Sequence, residues 1–131
     1  MRPMIAKCLC ESIKFKIKGK LRHIKNCHCN QCMKTHGNYA AYTACNENDI
    51  IFLNKKNLKW YQSSKIAKRG FCAKCGASIF YKKFDSNKVS VAAGMLSNPT
   101  KLKTISNIFT KKKMDYYKLD KKIPKFKRYS D

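Results

Sequence analysis

Cys8-Leu9-Cys10, Cys27-His28-Cys29-Asn30-Gln31-Cys32 and Cys72-Ala73-Lys74-Cys75 gather seven of the eight cysteines into three short clusters, and only Cys45 stands apart. Such spacings suit thiolate ligands. In a C-x-x-C the chain turns back on itself, so both sulfurs can reach one tetrahedral zinc at about 2.3 Å, and Gly76 just after the second thiol eases that turn. In an extended C-x-C the alternation of side chains sets both sulfurs on one face, where a local bend can aim them at a single ion.

Two isolated pairs cannot each complete a tetrahedral site, but together they supply four sulfurs. Cys8, Cys10, Cys72 and Cys75 are therefore expected to form a closed structural zinc site that ties the first strand to a late hairpin and contributes folding free energy directly. The middle cluster differs, because three thiolates within six residues bind one ion locally and leave its fourth position open, as in a catalytic zinc. Cys27, Cys29 and Cys32 are thus the candidate reactive centre, and two zinc ions per chain the expected complement. The alternative is a closed, inert second site completed by Cys45, His23, His28 or His36. In an extended Cys27-His28-Cys29 the imidazole points away from the two sulfurs, and Cys45 lies beyond a predicted strand, so it could return only through tertiary folding. Cys45 also fits a small buried apolar position.

The elements that must carry these clusters are strands. Ile13, Phe15 and Ile17 alternate with Lys14, Lys16 and Lys18 ahead of Gly19, the pattern of a half-buried antiparallel strand that ends in a turn. Further strands are predicted over residues 39–44 after Gly37-Asn38, 50–53, 58–62, 78–84 and 89–93, separated by Asn, Gly and Asp turns. No segment carries a helical apolar stripe. Asn98-Pro99 stops the last of these strands, and residues 102–109 read either as a short strand or as an irregular crossing. Short strands at spacings of roughly ten residues define an all-β sandwich or barrel, mainly antiparallel.

At 131 residues the chain has the length of one domain, taken here as 1–131 with a Lys-rich C-terminal tail. No apolar run is long enough for a secretory signal or for a bilayer span of about 20 residues, so a cytoplasmic location is expected, where thiols stay reduced and bind metal in place of pairing as disulfides. The formal charge of +23, from 30 Lys+Arg against 7 Asp+Glu, suits nucleic acid or another anionic partner. Almost all of it is Lys; only Arg2, Arg22, Arg69 and Arg128 could grip phosphate with two parallel hydrogen bonds.

Cys8-x-Cys10, the run from Cys27 to Cys32, Gly37, the block Phe71-Cys72-Ala73-Lys74-Cys75-Gly76 and Gly94 within Val91-Ala92-Ala93-Gly94-Met95-Leu96 together resemble the glutathione-dependent formaldehyde-activating enzyme family, which shares a domain with the centromere protein V group. The resemblance spans about residues 5–125. It implies an Mss4-like β fold, a structural zinc on Cys8, Cys10, Cys72 and Cys75, and a second zinc on Cys27, Cys29 and Cys32 at the reactive centre. It also implies carbon-sulfur lyase chemistry that joins glutathione and formaldehyde into S-hydroxymethylglutathione or reverses that step. An acid or base for the hydroxyl of the adduct is sought nearest in sequence at His28, His36 and Tyr39. Departures from the family pattern are Glu11 where Gly commonly follows the first C-x-C, Met33 and Lys34 where an Arg and a second basic residue commonly follow the middle cluster, and Tyr116 or Tyr117 in place of a late Trp. Met33 removes a guanidinium that could clamp a glutathione carboxylate, and Lys34 replaces it with a point charge. The functional expectation is a zinc-dependent lyase acting on a thiol adduct. Its alternatives are a zinc-stabilised, non-catalytic module that binds nucleic acid or another anionic partner through its Lys surface, and a zinc- or thiol-sensing protein.

Overall fold

The structure is a computed structural model that describes residues 3–129. Among the described residues the strands are β1 (Met4–Lys7), β2 (Ile13–Ile17), β3 (Ile24–Cys27), β4 (Ala40–Asn46), β5 (Ile50–Lys55), β6 (Leu58–Gln62), β7 (Ala67–Cys72), β8 (Ser78–Lys83), β9 (Lys88–Ala92) and β10 (Thr104–Ile108), with one α-helix, α1 (Asn30–His36). The all-β expectation holds. The chain divides into two compact units, residues 3–22 with Thr43–Lys101, and His23–Tyr42 with residues 102–129.

In the first unit β2 lies between β1 and β5, antiparallel to both, and its alternation works as the sequence requires. Ile13, Phe15 and Ile17 are buried while Lys14 and Lys16 stay part-exposed on the other face. Phe15 meets Phe52 and Phe80 with ring centroids 5.6 and 5.1 Å apart. Each such ring taken out of water contributes about 2–3 kcal/mol, so these three anchor the unit's core. Strands β9, β8, β7 and β6 follow one another in antiparallel order. Gly70 in β7 is needed for close approach: a Cβ there would stand 2.9 Å from Phe80 and 3.1 Å from Trp60, which stacks on Phe80 at 5.6 Å. The strand that ends at Cys72 thus owes its fit to a residue without a side chain.

In the second unit β3 pairs antiparallel with the first residues of β4 and parallel with β10. Within residues 102–109, ambiguous in sequence between strand and irregular crossing, Thr104–Ile108 form this parallel strand. The segment beyond it runs back alongside: the Asn107 N–H donates to the Pro124 carbonyl and the Phe126 N–H donates to the Asn107 carbonyl, each at 2.9 Å.

Helix α1 is a correction, since no helical stripe announces it. A seven-residue helix needs little apolar periodicity when its ends are held. Cys29 is its N-cap and accepts from the Cys32 N–H at 3.3 Å, while Gly37, left-handed at φ 85°, closes it by donating to the Met33 carbonyl.

Candidate metal centres

The first centre is built from two turns. Cys8 and Cys10 sit in the connection from β1 to β2, fixed by the Cys8 N–H to Ile13 carbonyl and Glu11 N–H to Cys8 carbonyl bonds, both 3.1 Å. Glu11 is held at φ 62°, the left-handed region that favours glycine, so its place after the C-x-C carries backbone strain. Cys72 ends β7, and the chain turns so that the Cys75 N–H points to the Cys72 sulfur at 3.4 Å. Gly76, at φ 79°, donates to the Cys72 carbonyl. All four Sγ atoms lie within 4.8 Å of one another, with Cys8–Cys10 and Cys10–Cys72 each at 3.7 Å. Sulfurs at the corners of a zinc tetrahedron of radius about 2.3 Å are about 3.8 Å apart, so this donor set fits such an ion.

Ser12, which sequence reasoning missed, stands at the edge of this group, its hydroxyl 3.1 Å from Cys10 Sγ and 3.4 Å from Cys72 Sγ. Burial alone would push the Cys72 thiol up, but the Ser12 hydroxyl and the N–H groups of Cys75 and Lys74 reverse this and hold it at about 6. Ser12 also lowers Cys10, whereas burial raises Cys8.

The second centre is local. Cys27 closes β3, Cys29 caps α1 and Cys32 lies in its first turn, so one strand-to-helix bend brings three sulfurs within 4.8 Å of one another. The neighbouring Cys29 and Cys32 thiols, and then burial, push Cys27 strongly up. Three such thiolates coexist only where a cation offsets their charge, so the donor set fits a thiophilic metal ion.

Among the described His, Cys, Asp and Glu, no fourth residue joins this group, and the residues weighed as closing ligands are engaged elsewhere. His23 Nδ1 accepts from the Lys103 N–H, and His36 Nε2 lies 2.9 Å from the Tyr42 hydroxyl. Cys45 is buried, its thiol pushed up to about 11 by burial first and Asp49 second, as expected of a small core residue. His28 is fully buried, with Nδ1 2.6 Å from the Tyr117 hydroxyl and Nε2 2.9 Å from Asn107 Oδ1. Tyr39, exposed, and Tyr117 flank its ring at 5.1 and 5.6 Å. Burial holds His28 below the usual imidazole range and Tyr117 above the usual phenol range, so both are neutral near pH 7. Tyr117 and Asn107 lie 89 and 79 residues away from His28 along the chain; the first is one of the two tyrosines noted in place of a late Trp, and nothing local marks the second.

An all-β, Mss4-like fold that carries one group of four cysteines and one of three, each of which could hold a metal ion, defines a class of small cysteine-rich β proteins. A sequence profile of the glutathione-dependent formaldehyde-activating enzyme family matches residues 3–112, and the chain belongs to that family. A crystal structure of a Rhodobacter sphaeroides protein, solved as a structural genomics target, shares the fold with a TM-score of 0.59 at 20% identity over 75% of this chain and 92% of that one. No curated protein sequence matches the chain. None of its described helices is long and apolar enough to cross a membrane.

Proposed function

We propose that the chain is a zinc-dependent carbon-sulfur lyase acting on a thiol adduct, with glutathione and formaldehyde as the pair it joins or releases. The observation that carries this reading is the contrast between the two cysteine groups, one with four sulfurs and one with three that converge on a single bend beside His28, Tyr39 and Tyr117. Cys8, Cys10, Cys72 and Cys75 would hold a structural ion, and Cys27, Cys29 and Cys32 the reactive one. Bound there, zinc supplies a Lewis acid that keeps a substrate sulfur as thiolate near neutral pH.

The overall change is addition of the glutathione S–H across the formaldehyde C=O, giving a C–S bond and a hydroxyl, or its reverse. Cys27, Cys29 and Cys32 supply the negative charge that retains the ion. Lys34, exposed near the end of α1, offers a point charge to a substrate carboxylate. Tyr39, exposed and with its ring 5.1 Å from that of His28, would exchange a proton with the adduct's hydroxyl, whereas His28, fully buried with both nitrogens engaged, would not. The reading is tested by formaldehyde-glutathione exchange measured by NMR with and without protein; exchange at the uncatalysed rate would end it. Elemental analysis of protein purified without chelator is expected to give two zinc ions per chain, and one ion, or iron, would contradict the two-centre assignment. Cys45→Ala is expected to keep both ions.

The binding-module reading draws on one feature: from residue 50 to residue 84 the chain has no Asp or Glu. Duplex DNA binding through those Lys side chains is expected to be independent of sequence and to weaken steeply with salt, because Lys-phosphate contacts carry no base information. A fixed-salt competition in which one duplex outcompetes others about a hundredfold would contradict this.

A further inference from the structure

The Cys27-His28-Cys29 bend carries two of the three sulfurs of the second centre on either side of a histidine that contributes none. That histidine is held at both ring nitrogens and at its amide N–H. Asn107 Oδ1 can only accept, so His28 Nε2 carries the hydrogen, and Nδ1, left bare, accepts from the Tyr117 hydroxyl. The His28 backbone N–H donates to the Ile108 carbonyl at 3.0 Å, so main chain and ring are both tied.

The two partners are themselves anchored. Asn107 is bonded through its backbone to Pro124 and Phe126. Tyr117 receives a hydrogen bond from the Lys113 ammonium at its carbonyl, and the same ammonium stands 4.5 Å over its ring. With both ring nitrogens and the amide N–H engaged, the His28 side chain and the peptide unit that joins it to Cys27 are held, and His28 is the one residue that links Cys27 to Cys29.

We propose that His28, gripped by Tyr117 and Asn107, is the positioning residue of the three-cysteine centre, so that β10 and the segment beyond it govern metal retention at a site to which they give no ligand. This rests on the reading of that cluster as a metal centre. Outer partners of metal ligands commonly change affinity about 10–100-fold when removed, because a misaimed ligand loses part of its bond.

Tyr117→Phe isolates the effect, since it keeps the ring and its stacking on His28 and removes only the hydroxyl. The protein is loaded with cadmium-113 and read by NMR, where two ions give two resonances, and Cys29→Ser identifies the one that belongs to the second centre. Tyr117→Phe is expected to shift or broaden that resonance alone, and to speed release of the ion to a chelator about tenfold, with the melting temperature within a few degrees of the parent. Asn107→Ser, which shortens the acceptor out of reach of Nε2, should perturb the same resonance. Tyr116→Phe is the control: its hydroxyl donates to Asn38 Oδ1 and has no bond to His28, so both resonances should stay in place. If Tyr117→Phe and Asn107→Ser leave the second resonance and the release rate unchanged, His28 only packs and the proposal is overturned. A single resonance in the parent protein overturns the two-metal reading itself, and the proposal with it.

Discussion

Cys72→Ser is expected to leave the protein insoluble, or to lower its melting temperature by more than about 10 °C. Cys72 is the hub of the first centre: it is fully buried, it ends β7, and its sulfur meets Cys10 Sγ, the Ser12 hydroxyl and the Cys75 N–H. The group joins the connection before β2 to the end of β7, stretches about sixty residues apart. Binding free energy at such a site is folding free energy, on the order of 10 kcal/mol for structural zinc. Losing one of four ligands forfeits at least about 3 kcal/mol of it, in a domain whose total stability is about 5–15 kcal/mol. At roughly 4 °C per kcal/mol for a chain of this size, the shift exceeds what any surface substitution produces. Circular dichroism melts with zinc content measured on the same sample decide it, and a melt within about 3 °C of the parent would remove the structural role of this centre.

Cys29→Ser should do nearly the opposite, with the fold retained and the second ion and any lyase activity lost. Cys29 caps α1 by accepting the Cys32 N–H, and Ser is a better N-cap than Cys, so the helix start survives the exchange. What disappears is one of three sulfurs in a centre confined to a single bend. Activity is expected to fall by about a thousandfold or more, which corresponds to several kcal/mol of transition-state stabilisation by the metal. The check is zinc stoichiometry, melting temperature and the exchange assay on one preparation. Should Cys29→Ser unfold the chain as badly as Cys72→Ser, the middle cluster is a second structural site and the lyase reading gives way to a scaffold.

Where local spacing decides structure, the sequence was readable. The Lys-separated Ile13, Phe15 and Ile17 fold as the buried face of β2, and β6 spans the predicted Leu58–Gln62. The seven clustered cysteines come together in the two groups that their spacing indicates. The unread elements lack a local pattern. Strand β7, Ala67–Cys72, interrupts its alternation with Gly70, a residue chosen for the approach of Phe80 and Trp60. Strand β3 has only four residues and gains its order from β10, far along the chain. Helix α1 is defined by its two caps and not by a stripe, and the cap at its start is a cysteine whose sulfur was read for metal chemistry alone. The grip on His28 was invisible for a similar reason: a histidine between two cysteines reads as a ligand or acid-base candidate, and only tertiary structure reveals partners 79 and 89 residues away.

The parallel pairing of β3 with β10 also fixes the order in which the molecule can be finished during synthesis. Cys27, Cys29 and Cys32 are synthesised well before the strand that flanks them, Thr104–Ile108, and before the residues up to Phe126 that bond to it. By then every element of the first unit has already been made, and its four-sulfur group can close first. Until the late segment arrives, the three early thiols are unsheltered nucleophiles, open to oxidants and to competing soft metals. Translation is therefore an interval in which these three thiols lack the strand that later flanks them.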